Sequence, residues 1–311
     1  MRSGFVEGHH RGSLVVLAAD GSVREAYGDP DRPMFPRSAN KPFQAVGMVR
    51  LGLDLPAELL ALAAASHSGE PFHLDGVRRI LDRAGLDVDA LQTPPDDPID
   101  DVAQRDWVRA GHEPERVAMN CSGKHAAMLL TCVVNGWDVA TYRDPDHPLQ
   151  RALRTELERL AGEPVAATGV DGCGAPLFAI SLGGLARAAG TVVRADPGTP
   201  DRVVADAMRA HPEWVGGTRR DVTALMRAVP GLLTKDGAEG VQVVALADGT
   251  AIAVKVDDGG QRAREVVVAA ALLRLGIDDP VVHELTSHPL LGGGRPVGEV
   301  RPVDPSAAAS A

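Results

Sequence analysis

Two β-hairpin signatures stand at opposite ends of this chain, with helical patterning between them, and that order leaves few folds open. Ser13-Leu-Val-Val-Leu-Ala-Ala-Asp20 is apolar and β-prone, Asp20-Gly21 is a turn pair, and Ser22-Val-Arg-Glu-Ala-Tyr27 alternates. Gly240-Val-Gln-Val-Val-Ala-Leu246 and Thr250-Ala-Ile-Ala-Val-Lys-Val256 flank Ala247-Asp248-Gly249 in the same way. Pro30, Pro33 and Pro36 mark a loop, and a helix is expected from Ser38, with Pro42 tolerated in its first turn. Apolar spacing predicts helices over 53–65, 72–84, 125–135, 148–161, 177–189, 200–211 and 217–228, and one more over 260–275. Residues 165–170 read as a short strand and 93–101 as a loop. Strands from both chain ends then share one antiparallel sheet, closed around an inserted helical lobe. The expected fold is a mixed α/β (α+β) single domain over residues 1–311. Its sheet lobe is drawn from about 1–36 and 235–280, and its helical lobe from about 37–234. Residues 292–311, rich in Gly and Ala, are expected to be a flexible tail.

Charge and composition exclude several partners. The chain carries 32 basic against 42 acidic residues, a net charge of −10 without a block of one sign, which disfavours nucleic acid and anionic membranes. No run of about 18 apolar residues is present, so no spanning helix is expected. Residues 1–12, with Glu7, His9, His10 and Arg11, lack the apolar centre of a signal peptide. Cys121, Cys132 and Cys173 are an odd set, read as reduced thiols or metal ligands in a cytoplasmic protein rather than a disulfide frame.

The residues that carry chemistry lie at the joins between these elements. In Arg37-Ser38-Ala39-Asn40-Lys41-Pro42, Ser38 and Lys41 share a helical face. A lysine kept neutral can take the proton of a serine, so Ser-x-x-Lys is a minimal nucleophile–base pair. A capping serine followed by a solvated lysine is the bland alternative. A second lysine comes from Leu233-Thr234-Lys235-Asp236-Gly237, just before the second hairpin. Second serines are offered by Ala64-Ala65-Ser66-His67-Ser68-Gly69-Glu70, where a helix cap is an equal reading and His67 is a structural hydrogen-bonder or a base. The order hairpin, Ser-x-x-Lys helix, helical middle, hairpin, helix resembles the serine β-lactamase and penicillin-binding fold. Those enzymes keep Lys-Thr-Gly on a strand beside the active site, and here Asp236 replaces the threonine. Their middle Ser-Asp-Asn or Tyr-x-Asn motif is not evident, which argues against penicillin chemistry.

Cys121-Ser122-Gly123-Lys124-His125 and Asp171-Gly172-Cys173-Gly174 form a second set. Two thiolates suit Zn²⁺ with nitrogen and water completing a tetrahedron, and His125 is the more ordinary nitrogen donor. A nucleophilic cysteine and a pair of buried free thiols remain open as alternatives. Gly172 and Gly174 offer tight backbone whose amides could face an oxyanion.

Taken in order, these segments resemble the class 3, rhizobial-type L-asparaginases of the asparaginase II family, over roughly residues 6 to 275. The motifs are Arg37-Ser-Ala-Asn-Lys-Pro42, Ala65-Ser-His-Ser68, Asn120-Cys-Ser-Gly-Lys-His125, Pro145-Asp-His-Pro148, Asp171-Gly-Cys173, His211-Pro-Glu213 and Lys235-x-Gly237. The resemblance implies hydrolysis of L-asparagine to L-aspartate and ammonia by two Ser–Lys pairs, Ser38 with Lys41 and Ser66 with Lys235. It implies a metal, usually zinc, at Cys121, Lys124 and Cys173, with Asp171 beside it. Arg37, His67, Asp171 and Gly172 are expected around the substrate, and a homodimer is implied. The expected chemistry is acyl transfer, and the residues leave open which serine is acylated.

Overall fold

The computed structural model describes residues 1–303. The first hairpin joins β1 (Gly12–Leu17) to β2 (Val23–Tyr27), with Val15 opposite Ala26. The Asp20 carboxylate fixes the turn by accepting the Ser22 N–H at 2.9 Å. A 3₁₀ turn, Arg37–Asn40, leads into α1 (Lys41–Arg50), α2 (Ala57–Ala63), α3 (Pro71–Arg83), α4 (Asp101–Arg109), α5 (Ser122–Val134) and α6 (Pro148–Ala161). A small ribbon of β3 (Ala167–Val170) and β4 (Pro176–Ala179) precedes α7 (Leu182–Arg194), α8 (Pro200–Ala210), α9 (Pro212–Gly216) and α10 (Asp221–Ala228). The chain returns through β5 (Leu233–Gly237), β6 (Val241–Ala245) and β7 (Ala251–Val256), then α11 (Gln261–Arg274) and α12 (Pro280–Glu284). β8 (His288–Gly292) and β9 (Arg295–Val300) close the described chain.

The main sheet has the order β2-β1-β7-β6-β5, antiparallel throughout. The two chain ends therefore meet where β1 pairs β7, as the paired hairpin signatures predict. Helix α7 packs against β1, β6 and β7, while α11 packs against β6 and β7. Cover from helices explains why β6 is apolar on both faces at Val241, Val243, Val244 and Ala245, all buried, with Gln242 the one polar residue among them. Each such valine removed from water contributes about 1.5–3 kcal/mol.

Local chemistry explains where elements start and stop. Helix α6 has Pro148 in its first turn, His147 Nδ1 accepting the Leu149 N–H at 3.1 Å, and Gly162 ending it at φ 67°. That span matches the expectation over 148–161. Elsewhere the boundaries move. The predicted helix start at Ser38 is a 3₁₀ turn, entered through Arg37 at φ 50°, and α1 proper begins at Lys41. The predicted helix over 177–189 is split, because residues 176–179 pair with β3. The predicted helix over 217–228 is broken by Gly217 at φ 79°, where a Cβ would overlap Ser68. Helix α4 emerges from the expected loop, capped by Asp100 Oδ1 accepting Val102 and Ala103 N–H at 3.0 and 2.9 Å. The expected tail fails over 292–300, which belongs to the β8–β9 hairpin, with the Met1 amino group donating to Glu299 O at 2.7 Å. The rest of that expectation, 304–311, lies outside the described residues. Among the described residues no helix is long and apolar enough to cross a membrane.

Candidate active site

The 3₁₀ turn, the start of α1, the loop after α2 and strand β5 converge at the junction of sheet and helices. Lys41 is 1% exposed, and its Nζ donates to Ser66 Oγ at 3.0 Å and to Ala65 O at 2.6 Å. Ser38 is half-buried, and its hydroxyl has no hydrogen-bond partner among the described residues. The observed bond therefore joins one member of each expected pair. Lys41 reaches forward to the loop after α2, a contact that chain folding creates and helical spacing does not encode.

Lys235 is fully buried, and its Nζ donates to Asp236 Oδ1 at 2.7 Å and to Asp236 O at 2.6 Å. Its expected partner, Ser66, is bonded to Lys41 instead. Burial lowers the Lys235 pKa to about 8; Lys41 and Arg220 push the same way, and Asp236 opposes them. Burial works against the Asp236 carboxylate, but Arg220, Lys235 and Arg264 together hold it ionised, far below the usual range. Arg220 pairs with Asp236 and also donates to Ser66 O at 2.7 Å. Gly237 ends the strand against the turn: a Cβ there would sit 2.7 Å from Pro36 O and 3.2 Å from Ser38 N. Glycine is thus the residue that lets β5 approach the Ser38 backbone.

His67 is a strut. Its Nδ1 accepts the Gly69 N–H at 3.2 Å, and its Nε2 lies 2.8 Å from Ser122 Oγ, which itself donates to Val117 O. Burial, reinforced by His73, Lys41 and Arg220, drives its pKa well down, so the ring is neutral with both nitrogens occupied. The His67 N–H donates to Asn120 O at 3.0 Å and ties the Ser66 loop to the thiol cluster.

In that cluster Cys121, Lys124, His125 and Cys173 are all buried. A hydrogen bond from Cys121 favours the Cys173 thiolate and, with burial, raises the Cys121 thiol. Lys124 Nζ donates to Cys173 Sγ at 3.3 Å. Burial disfavours the Lys124 ammonium, but the two sulfurs and Asp171 outweigh it and raise its pKa. Burial lowers His125 against the pull of Cys173; its Nδ1 lies 2.6 Å from the Tyr142 hydroxyl and its Nε2 has no hydrogen-bond partner among the described residues. Arg37 Nε donates to Asp171 Oδ1 at 2.8 Å, joining the Ser38 turn to this cluster.

The Lys124 amine touches Cys173 Sγ, which is hydrogen-bonded to Cys121, and two sulfurs with a deprotonated amine would suit Zn²⁺. Among the described residues no three His, Cys, Asp or Glu side chains are grouped as a metal site, and a nitrogen that does touch a sulfur there is the Lys124 amine. Cys132 is core. The oxyanion expectation for the 172–174 turn does not hold. The Gly172 N–H donates to Asp171 Oδ1 at 2.9 Å and the Gly174 N–H to Asp171 O at 2.8 Å, so neither faces a ligand.

The structure gathers Ser38, Lys41, Ser66 and Lys235 at one junction, with Arg37, His67 and Asp171 linking them to Cys121, Lys124 and Cys173. Sequence reading missed Arg220 as a site residue. The available signal was Arg219-Arg220 following Gly216-Gly217, a cation pair after a backbone break.

The pattern of the L-asparaginase II family matches residues 1–302. No curated protein sequence matches the chain. Among solved structures it is similar to a β-lactamase from Mycobacterium bovis, at 18% identity and a TM-score of 0.47 over 85% of this chain and 94% of that one. It is also similar to EstCE1, a hydrolase with promiscuous acyltransferase activity, at 13% identity and a TM-score of 0.38 over 79% and 88%. Simvastatin synthase from Aspergillus terreus follows, at 14% identity and a TM-score of 0.37 over 88% and 90%. With the family pattern running along nearly the whole chain, this protein belongs to the L-asparaginase II family and is an amidohydrolase.

Proposed function

We propose that this enzyme hydrolyses L-asparagine to L-aspartate and ammonia through a serine acyl-enzyme. The observation that carries the reading is the buried Lys41–Ser66 hydrogen bond beside a second buried lysine, Lys235. Neutral Lys41 has two N–H groups, and Ala65 O and Ser66 Oγ accept both. Its lone pair is then free for the proton of Ser38, three residues back. Ser38 is the nucleophile because its hydroxyl is half-exposed and uncommitted. Its oxygen bonds to the side-chain amide carbon, and the C–N bond breaks as the nitrogen leaves. The proton taken by Lys41 passes through Ser66 to that nitrogen, which departs as ammonia. Water, deprotonated by the same amine, then splits the ester and returns Ser38 its proton. Burial lowers the Lys235 amine to about 8, and in its neutral form it leaves the pocket free to take the charge that Lys41 gains with that proton.

Zn²⁺ would be held by Cys121, Lys124 and Cys173. When bound it supplies a positive charge that orients the substrate. A homodimer and a cytoplasmic location complete the proposal; the three cysteines are free thiols, in keeping with a reducing compartment.

The test is ammonia release from L-asparagine and L-glutamine, and ring opening of a β-lactam followed by its ultraviolet absorbance, by wild type and by Ser38→Ala. Release from asparagine that disappears in the variant supports the proposal. Turnover of the β-lactam alone, or undiminished release by Ser38→Ala, overturns it.

A further inference from the structure

We propose that Arg220 and Asp236 are positioning residues of the amidase centre, their ion pair locking Ser66 to Lys235 and setting, with opposite signs, the charge on the Lys235 amine. This deepens the reading above and rests on it.

Arg220 has one hand on each half of the site. It donates to Ser66 O at 2.7 Å and pairs with Asp236, whose other oxygen accepts from Lys235 Nζ at 2.7 Å. Ser66 in turn accepts from Lys41 at 3.0 Å. One unbroken path thus runs from Lys235 to Lys41 through Asp236, Arg220 and the Ser66 residue.

The loop that presents Arg220 is pinned on both sides. Thr218 N–H and Oγ1 donate to the Glu70 carboxylate at 2.8 and 2.9 Å. Arg219 pairs with Asp100, and Ser68 Oγ donates to Gly216 O at 2.8 Å. Three of these anchors lie in 66–70, the segment that carries Ser66. The two segments are therefore held as one body, and Arg220 transmits its position to β5. Asp236 occupies the position where the related motif has threonine, so the carboxylate brings a charge that a hydroxyl would not.

The charged groups around the Lys235 amine are few. Asp236 lies beside it on β5, Lys41 comes from α1, and Arg220 precedes α10. From α11, Arg264 acts on Asp236 and is held by Asp221 of α10 at 2.8 Å. From β6 comes neutral Gln242, bonded to Thr234 and Arg264. Arg37 of the 3₁₀ turn is turned to Asp171 and Glu239. Helix α8 also packs on β5, but its acids are engaged elsewhere, Asp201 with Arg50 and Arg159, and Asp206 with Arg202 and Arg209. Removing Asp236 leaves two cations facing the amine, while removing Arg220 takes one cation away and leaves Lys235 as the carboxylate's ion-pair partner, with Arg264 still acting on it.

The experiment follows the ε-carbon NMR resonance of Lys235 through a pH titration without substrate, the signal being assigned by its loss in Lys235→Met. In Asp236→Asn the midpoint is expected to fall by about one pH unit, and in Arg220→Gln to rise by about as much. The rising limb of the pH–rate profile for ammonia release should move in the same two directions, and both variants should lose on the order of tenfold or more in kcat. A merely structural role would lower activity without opposite shifts. Midpoints that stay put, or move together, overturn the inference. Either variant that folds decides the sign for its own residue. If Arg220→Gln does not fold, Arg220→Lys replaces it: the midpoint should hold while kcat falls about tenfold, and an undiminished kcat overturns the positioning role. Wild type that releases no ammonia sinks the proposed function, while the substrate-free titration still decides this point.

Discussion

Lys235 and Lys124 are both fully enclosed amines, a short walk apart in one molecule, and their surroundings push them in opposite directions. Burial acts on each alike and disfavours the ammonium. Around Lys235 the neighbours are Lys41 and Arg220, with only Asp236 in opposition, and its pKa falls to about 8. Around Lys124 the neighbours are the sulfurs of Cys173 and Cys121 and the carboxylate of Asp171, and its pKa rises. Desolvation is therefore a constant that the partners overrule or reinforce. The first arrangement makes an amine that can be neutral at ordinary pH, as proton transfer requires. The second holds a charge against sulfur, and only a metal competing for those thiolates would displace its proton.

The largest test of this contrast is on the lysine pocket. Lys41→Ala should cut ammonia release from L-asparagine by at least on the order of a thousandfold, measured by a coupled assay. Lys235→Met is expected to cost less, on the order of 10²-fold in kcat, and to remove the rising limb that Lys235 contributes. The thiol cluster should respond differently: Cys121→Ser is expected to abolish stoichiometric zinc in elemental analysis and to raise KM more than it lowers kcat, by about tenfold. Equal kcat losses in Lys235→Met and Cys121→Ser would erase the distinction drawn here.

The smallest effect is on stability. Lys235 has a folded pKa of about 8 against an ordinary value of 10.5, so the unfolded chain binds more protons between those limits. Stability therefore rises with pH across that window, while below about pH 8 the full cost of the buried ammonium is present. That cost is at most about 3 kcal/mol. Urea midpoints of wild type should climb from pH 8 to pH 10, and those of Lys235→Met should climb less.

How far the sequence foretold this depends on the range of each interaction. The sheet closed by both chain ends was legible because alternation and Asp-Gly turns are local, and β1 pairs β7 as expected. Helix α6 was legible end to end because its Pro148 start and Gly162 stop are written in the chain. The β8–β9 hairpin reads as a loose tail because Gly292-Gly293-Gly294 suggests slack, although Gly293 and Gly294 serve a tight turn at positive φ. Helix α4 was hidden by its polarity, with Trp107 its largest apolar side chain. In the site, the four residues of the two Ser–Lys motifs are gathered at one junction, but their wiring was not legible. Lys41 finds Ser66 and Arg220 finds Asp236 across 25 and 16 residues, distances at which spacing carries no signal.

The most direct measurement is rapid-quench peptide mass spectrometry of the enzyme mixed with L-asparagine. The account predicts an aspartyl ester on Ser38, absent in Ser38→Ala, whose ammonia release is also gone. An ester on another residue, or steady ammonia release by Ser38→Ala, would contradict it.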